Sequence, residues 1–448
     1  MRDVLKIGSG AGFSGDRLEP AVELAKKVDL DYLVLECLAE RTIAIAQKEK
    51  KKDKNKGYDP LLVDRLQALL TVLNEKRFRI VTNMGAANPI AGAKKILEIS
   101  REMDIACKVA VVTGDDVILE LDSENDILEN NHKLKDYKVI SANAYLGAEA
   151  LLPALKTDAD IIITGRVADP SLFLAPMVHH YNWSLEDYER LGQGTVIGHL
   201  LECAGQITGG YFADIGEKEV DGLAELGFPY ASIDRDGTGI IMKTPHSGGI
   251  VNVRTVKEQL LYEVHNPSQY LTPDVTADFS NVTLTQLEKN KVMITGGSGR
   301  KKPDSYKVSI GYHAGYIGEG EISYAGTTSV ERGRIAEEIL RKRLSNSIQD
   351  LRVDLIGLSS VHRTNFGNEH PYEVRVRAIA LCPTRTDAIS IGNEVEALYT
   401  NGPYGGGGAR KRVSECVGVV STLLERERVD KKVKTEVLQN GWEINQTL

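Results

Sequence analysis

The segment GHLLECAGQITGG (198–210) is the most chemically loaded stretch of this chain. In it His199, Glu202, Cys203 and Gln206 stand at i, i+3, i+4 and i+7, so a helix places all four on one face. A His and a Glu three residues apart can bind a metal, or act as a base and its orienter, with Cys203 as nucleophile. The same stripe also reads as a core face with a hydrogen-bonded His and a buried free thiol. His246, in TPHSGGIV, lies between Pro and Gly in a turn and is a second candidate to touch substrate, or a solvated loop residue.

Polar groups also recur where short apolar runs end. VLKIG (4–8) leads into GSGAGFSGDR and Asp16, DYLVLE (31–36) ends on Glu36, and FRIVTN (78–83) ends on Asn83. KVAVVTG (108–114) runs into Asp115 and Asp116, KVISAN (138–143) ends on Asn143, and DIIITGR (160–166) ends on Arg166, with Asp169 close behind. Each residue alone can be a helix cap or a turn bond. Together they exceed what caps require. Ligands of open α/β sheets bind beyond the carboxyl ends of the strands, so Asp169 belongs to the same candidate site. There Arg166 would hold a substrate carboxylate, Asn83 and Asn143 would polarise a carbonyl, and Asp16, Glu36 or His199 would move protons.

Two glycine-rich stretches invite an anion. Gly8, Gly10 and Gly12 do not match the dinucleotide spacing G-x-G-x-x-G, and no Walker A motif is present. In NGPYGGGGARKR (401–412), Gly405, Gly406, Gly407 and Gly408 precede an expected helix that begins at Ala409 and Arg410. Backbone amides at such a start, with Arg410 beside them, suit a phosphate or carboxylate. A flexible hinge is the other reading.

The elements that must carry these groups follow from periodicity. Six apolar runs of strand length alternate with helical patterns at 19–28, 60–76 and 88–103, which predicts parallel β-α units in a Rossmann-like, mostly parallel sheet. A partial β/α barrel is the runner-up, since a full one needs about eight units. Beyond residue 220 alternating, β-branched segments predict an α+β domain rich in antiparallel strands, with helices at 330–345 and 410–429. The expected domains are 1–220 and 221–448. QKEKKKDKNKG (47–57) reads as a solvated loop or fraying helix end, or as a collector of an anionic ligand.

Composition narrows the function. Net charge is −8, from 55 basic and 63 acidic residues, so no global positive field holds nucleic acid or an anionic membrane. The five cysteines are scattered without a C-x-x-C pair, which fits reduced thiols in a cytoplasmic protein. No apolar stretch approaches a membrane span, and MRDVLKIGSG is not a leader peptide.

GSGAGFSGDR, LECLAERT (35–42), TNMGAANP (82–89), TGRVADPS, HLLECAGQITGG, the run from TPHSGG to YLTPDV (244–275) and EVEALYTNGPYGGGGA (394–409) together resemble the acyclic terpene utilisation family AtuA. The resemblance implies a part in degrading branched acyclic terpenoids through carboxylated or acyl-CoA intermediates. It also implies a core without the small ferredoxin-like domain of longer relatives, hence a separate small subunit as partner, and self-association into a homo-oligomer. The expected activity is a hydratase or carbon–carbon lyase acting on a small-molecule carboxylate or acyl-CoA. The alternative is a non-catalytic scaffold whose small partner completes the site. A divalent metal on carboxylates stays open, because hard oxygen ligands are plentiful but no spacing demands one.

Overall fold

The computed structural model describes residues 4–364, 370–439 and 444–447. The chain separates into two compact units, one of residues 1–311 with 419–448 and one of residues 312–418.

The first unit is built on β1 (Leu5–Ala11), β2 (Tyr32–Leu35), β3 (Arg79–Thr82), β4 (Lys108–Thr113), β5 (Val139–Ala144), β6 (Ile161–Thr164), β7 (Pro229–Ile233) and β8 (Gly239–Lys243). Five of these form a parallel block in the order β1, β2, β3, β6, β4. Buried on both faces, they are apolar along most of their length, as Ile161–Thr164 shows. Antiparallel strands extend both sides: β7, β8, Lys291–Thr295 and Thr283–Glu288 beyond β1, and Lys434–Gln439 and Ile444–Thr447 beyond β4. The sheet is open, so the α/β expectation holds and the barrel is not formed. Segments C-terminal to residue 220 thus continue the same sheet. One expected parallel strand is placed elsewhere, because β5 pairs with the long strand Ser305–Ala325 instead of its α/β neighbours.

Helices α1 (Glu19–Lys27), α2 (Glu40–Lys52), α3 (Leu62–Glu75) and α4 (Pro89–Glu102) follow the first three strands. In α3 the stripe Leu62, Leu66, Leu69 and Leu70 is fully buried, as three- and four-residue spacing requires. Helix α5 (Leu152–Leu155) is short, whereas α6 (Ser171–Tyr181) and α7 (Tyr188–Glu202) are buried almost all round. Glycines make that close packing of α7 feasible: a Cβ at Gly198 would stand 2.6 Å from the Pro170 carbonyl oxygen, and one at Gly192 would stand 2.0 Å from that of Ser298. The consequence is that the last turn of α7 ends inside the protein.

The second unit holds Arg352–Ile356, Glu373–Cys382, residues 312–325 of the strand Ser305–Ala325 and residues 407–418 of the strand Gly407–Glu425, in that order in one sheet. Its helices are Ser329–Leu344 and Arg385–Asn401, and Ile322, Leu340, Val376, Ala388 and Val395 belong to its core. The expected helix at 410–429 is a correction: residues 407–425 are strand, and only Arg426–Asp430 is helical. Its interior, VSECVGVVST, is β-branched and interrupted by Gly418, where a Cβ would meet the Tyr312 ring at 2.3 Å.

Candidate active site at the strand ends

Strands β2 and β3 end side by side, with Leu35 opposite Thr82. Glu36 and Asn83 are the next residues. Asn83 donates from Nδ2 to Glu36 Oε1 (2.9 Å) and accepts from the Cys37 amide at Oδ1 (2.7 Å), while the Leu38 amide also donates to Glu36 Oε1 (2.9 Å). Asn83 therefore holds the Glu36 carboxyl and the Cys37 amide in place, with one of its two Nδ2–H donors engaged by Glu36. Burial raises the Glu36 pKa well above the usual carboxylate range; Asp169 adds to this and Arg166 opposes it.

Strand β6 brings Arg166 beside β4. Asp115, just past β4, accepts from the Arg166 amide (2.9 Å) and from Asn143 Nδ2 (2.8 Å), and burial pushes its pKa up to about 6. The intervening Gly165 is required, because a Cβ there would lie 2.4 Å from Asp115 Oδ1. Arg166 is 2% exposed. Its Nη1 donates to the Leu38 carbonyl, its Nη2 lies 3.2 Å from Asp169 Oδ1, and its guanidinium covers the Tyr145 ring at 4.0 Å. The Tyr145 hydroxyl donates in turn to Glu40. Burial opposes ionisation of Glu40, but Arg166 and Tyr145 outweigh it and hold that carboxyl below its usual range.

The buried end of α7 supplies the other half. His199 Nδ1 lies 2.8 Å from Glu202 Oε1, the imidazole packs against Tyr270 and Phe279 with ring centroids 5.5 and 5.4 Å away, and Gln259 Nε2 donates to the His199 carbonyl (3.1 Å). Burial disfavours the imidazolium, yet Glu202 outweighs it and raises the His199 pKa. Glu202 is pushed up to about 7 by burial, with His199 opposing. The two groups are in hydrogen-bond contact, so the titration of each depends on the other. Cys203 caps the helix, and burial followed by the Glu202 charge raises its thiol pKa, so the resting thiolate that a nucleophile needs is disfavoured. Gln206 leaves the stripe because the helix stops at Glu202 and Ala204 turns left-handed, at φ 42°.

The Asp169 charge acts on both Glu36 and Glu202, so the strand-end and helix-end groups share one electrostatic neighbourhood. Several polar atoms in it are buried without a hydrogen-bond partner: Arg166 Nε, Asp169 Oδ1, His199 Nε2, Glu202 Oε2, Gln259 Oε1 and, beside Asp115, Asn143 Oδ1. The Arg166–Asp169 contact at 3.2 Å is an ion pair that lacks hydrogen-bond alignment, which is why Asp169 Oδ1 counts among them. Orphaned atoms normally cost about 1–3 kcal/mol each, so a group of them marks where water or a ligand belongs.

Other expected residues lie outside this group. Asp16 closes its own loop, accepting from the Gly12 amide (2.9 Å) and the Arg17 amide (2.7 Å). His246 is exposed in a left-handed turn at φ 57°. Gly405, Gly406, Gly407, Gly408 and Arg410 belong to the second unit, where a strand replaces the helix expected to start directly behind them. Conversely, Glu40, Tyr145, Gln259 and Tyr270 join the group without having been singled out. Glu40 lies in LECLAERT, and Gln259 and Tyr270 lie in the run 244–275; those motifs were the available signal.

Among the described residues no group of three or more His, Cys, Asp or Glu is placed to hold a metal ion, so the donor set does not fit one. No helix among them is long and apolar enough to cross a membrane. No curated protein and no solved structure matches the chain. Its sequence does match one family over residues 5–435, nearly the whole length, including every residue of the buried group. The chain belongs to the acyclic terpene utilisation family AtuA, a family of terpene catabolism.

Proposed function

We propose that the chain is an enzyme of this catabolism that moves protons on a carboxylated or acyl-CoA substrate, as a hydro-lyase (hydratase) or carbon–carbon lyase. The observation that carries the reading is the set of unpartnered polar atoms around carboxyls whose pKa values are raised. Addition of water to a carbon–carbon double bond needs a base for the water proton and an acid to protonate the adjacent carbon. Elimination and retro-aldol cleavage run on the same two roles. His199 Nε2 and Glu202 Oε2 are the open ends of a hydrogen-bonded pair in which burial pushes Glu202 up to about 7 and Glu202 raises His199, which suits the base. Glu36, held towards its protonated form by burial, suits the acid.

Each Nη of Arg166 has one partner, Leu38 or Asp169, while its buried Nε has none, which makes Nε the donor best placed to meet a substrate oxygen. Tyr145 beneath it and Glu40 beyond fix the plane of the guanidinium.

The test is to incubate the purified chain with branched enoyl-CoA and 3-hydroxyacyl-CoA thioesters and the corresponding free acids, following water addition and chain cleavage by mass spectrometry. Turnover by the lone chain that is lost in Glu202→Gln is expected. A folded chain inert towards every substrate would support the scaffold reading instead.

A further inference from the structure

Between Gln47 and Gly57 the chain sets six lysines against two carboxylates, although its net charge is −8. The run is not a loose solvated tail. Most of it is the end of α2, Lys50 Nζ donates to the Ala87 carbonyl (2.7 Å), and Lys51 Nζ donates to that of Ile140 (2.8 Å). Asn88, the N-cap of α4, donates from Nδ2 to the carbonyls of Lys54 (2.8 Å) and Lys56 (2.7 Å). Gly57 turns the chain back at φ 98°, where a Cβ would press on Lys50 Cβ at 2.7 Å. Like charges are thus held together by hydrogen bonds to the rest of the unit, Lys50 and Lys51 through their ammonium groups and Lys54 and Lys56 through their backbone carbonyls.

Two cavities adjoin this loop. One, of about 550 Å³, has mainly apolar walls that include Leu38, Ile45, Ala46, Val63 and Ala86. The other, of about 490 Å³, is lined by Lys54, Lys56, Lys94 and Lys95 against Asp53 and Glu98, with Ile90 and Ala91 of the first turn of α4 in its wall. Lys56 and Tyr58 line both. Four lysines against two carboxylates give the cleft an excess of positive charge, at the positive end of a 14-residue helix. Both volumes lie in the usual range of ligand sites, about 300–1,000 Å³.

We infer that the two cavities are one bipartite site for an amphiphilic phosphate ester, whose phosphates sit among the lysines and whose extended, mostly apolar arm fills the cavity beside them. Charge decides which end goes where: phosphate gains from the lysines, and an apolar arm gains from leaving water at about 25 cal/mol per Å². Leu38, in the wall of the apolar cavity, also accepts from Arg166 at its carbonyl, so the cavity and the buried polar group share this residue. Binding here goes beyond the catalytic reading and does not depend on it.

Acyl thioesters of coenzyme A and prenyl diphosphates share this chemistry. Calorimetric titration of the full chain with decanoyl-CoA, geranyl diphosphate, coenzyme A, decanoate and inorganic phosphate separates them. At least one two-part probe is expected to bind tenfold or more tightly than decanoate or inorganic phosphate, and which one does so identifies the source. Lys54→Glu/Lys56→Glu/Lys94→Glu should weaken that probe at least tenfold and Val63→Trp should block the arm, both with unchanged thermal unfolding. Two-part probes that bind no better than their parts, or wild-type affinity in the folded charge-reversal variant, would overturn the site. Tight binding without turnover would count against the catalytic reading alone; turnover insensitive to the lysines would count against this one alone.

Discussion

Asp16 and Asp169 both lie in the loop after a strand of the parallel block, and they are held in opposite ways. Each oxygen of Asp16 accepts a backbone amide of its own loop, and buried Arg65 grips the Ser14 and Asp16 carbonyls from α3 at 3.1 and 2.6 Å. Asp169 has a buried oxygen with no hydrogen bond, an arginine at 3.2 Å, and the charges of Glu40 and Glu263 pressing its pKa upward after burial itself. Residue type and position along the strand are the same. What separates a structural aspartate from a functional one here is whether local amides satisfy it, because an interior that leaves a polar group unmet has room for another molecule to meet it.

The largest effect that sharpens this contrast is on turnover. Glu202→Gln keeps the shape of the buried pair but removes its titration, and should lower kcat by about 10²–10⁴-fold with thermal unfolding little changed. A kcat within threefold of wild type would move the proton transfer elsewhere. Next, Arg166→Ala leaves Asp169, Glu40 and Glu36 without their cation and should destabilise the chain by about 3–5 kcal/mol in urea unfolding. A loss no larger than that of Asp16→Ala would erase the distinction between the two loops.

The pH dependence comes third. The folded pKa of Asp115, about 6, lies above its ordinary 3.8, so the native chain binds that proton more tightly than the unfolded one does. Its contribution to stability is therefore full below the ordinary value and lost as the pH rises through about 6, a loss of about 3 kcal/mol at 1.36 kcal/mol per pKa unit. Asp115→Asn should flatten this part of the stability profile between pH 4 and 7, at roughly these limits. An unchanged slope would show that the carboxyl is not held as described. Smallest, Asp16→Ala should cost about 1 kcal/mol, as loss of a partly exposed loop cap does, and leave turnover within threefold.

Much of the first unit was legible because its signals are local. Apolar runs and three- and four-residue spacing located five strands of the parallel block and α1, α3 and α4 within a few residues. Two misplacements came from partners that no local window contains. Val139–Ala144 is a strand as expected, but whether it joins one sheet or another depends on the strand at Ser305–Ala325. Residues 410–429 have helix-favouring charged ends and β-branched middles, and pairing within a sheet overrode the ends.

The strand-end residues themselves were equally visible, since polar groups at the carboxyl ends of parallel strands follow from the architecture. Their division into structural and reactive groups was not. Glu36 meets Asn83 across 47 positions, Arg166 meets Asp115 across 51, and Gln259 reaches His199 across 60. The sequence by itself determined which side chains stand at the strand ends and at the end of α7, because periodicity and turn chemistry act over a few residues. Only the tertiary structure decided which were satisfied, which were desolvated and which were raised in pKa, because burial, hydrogen bonding and charge all act between segments far apart in the chain.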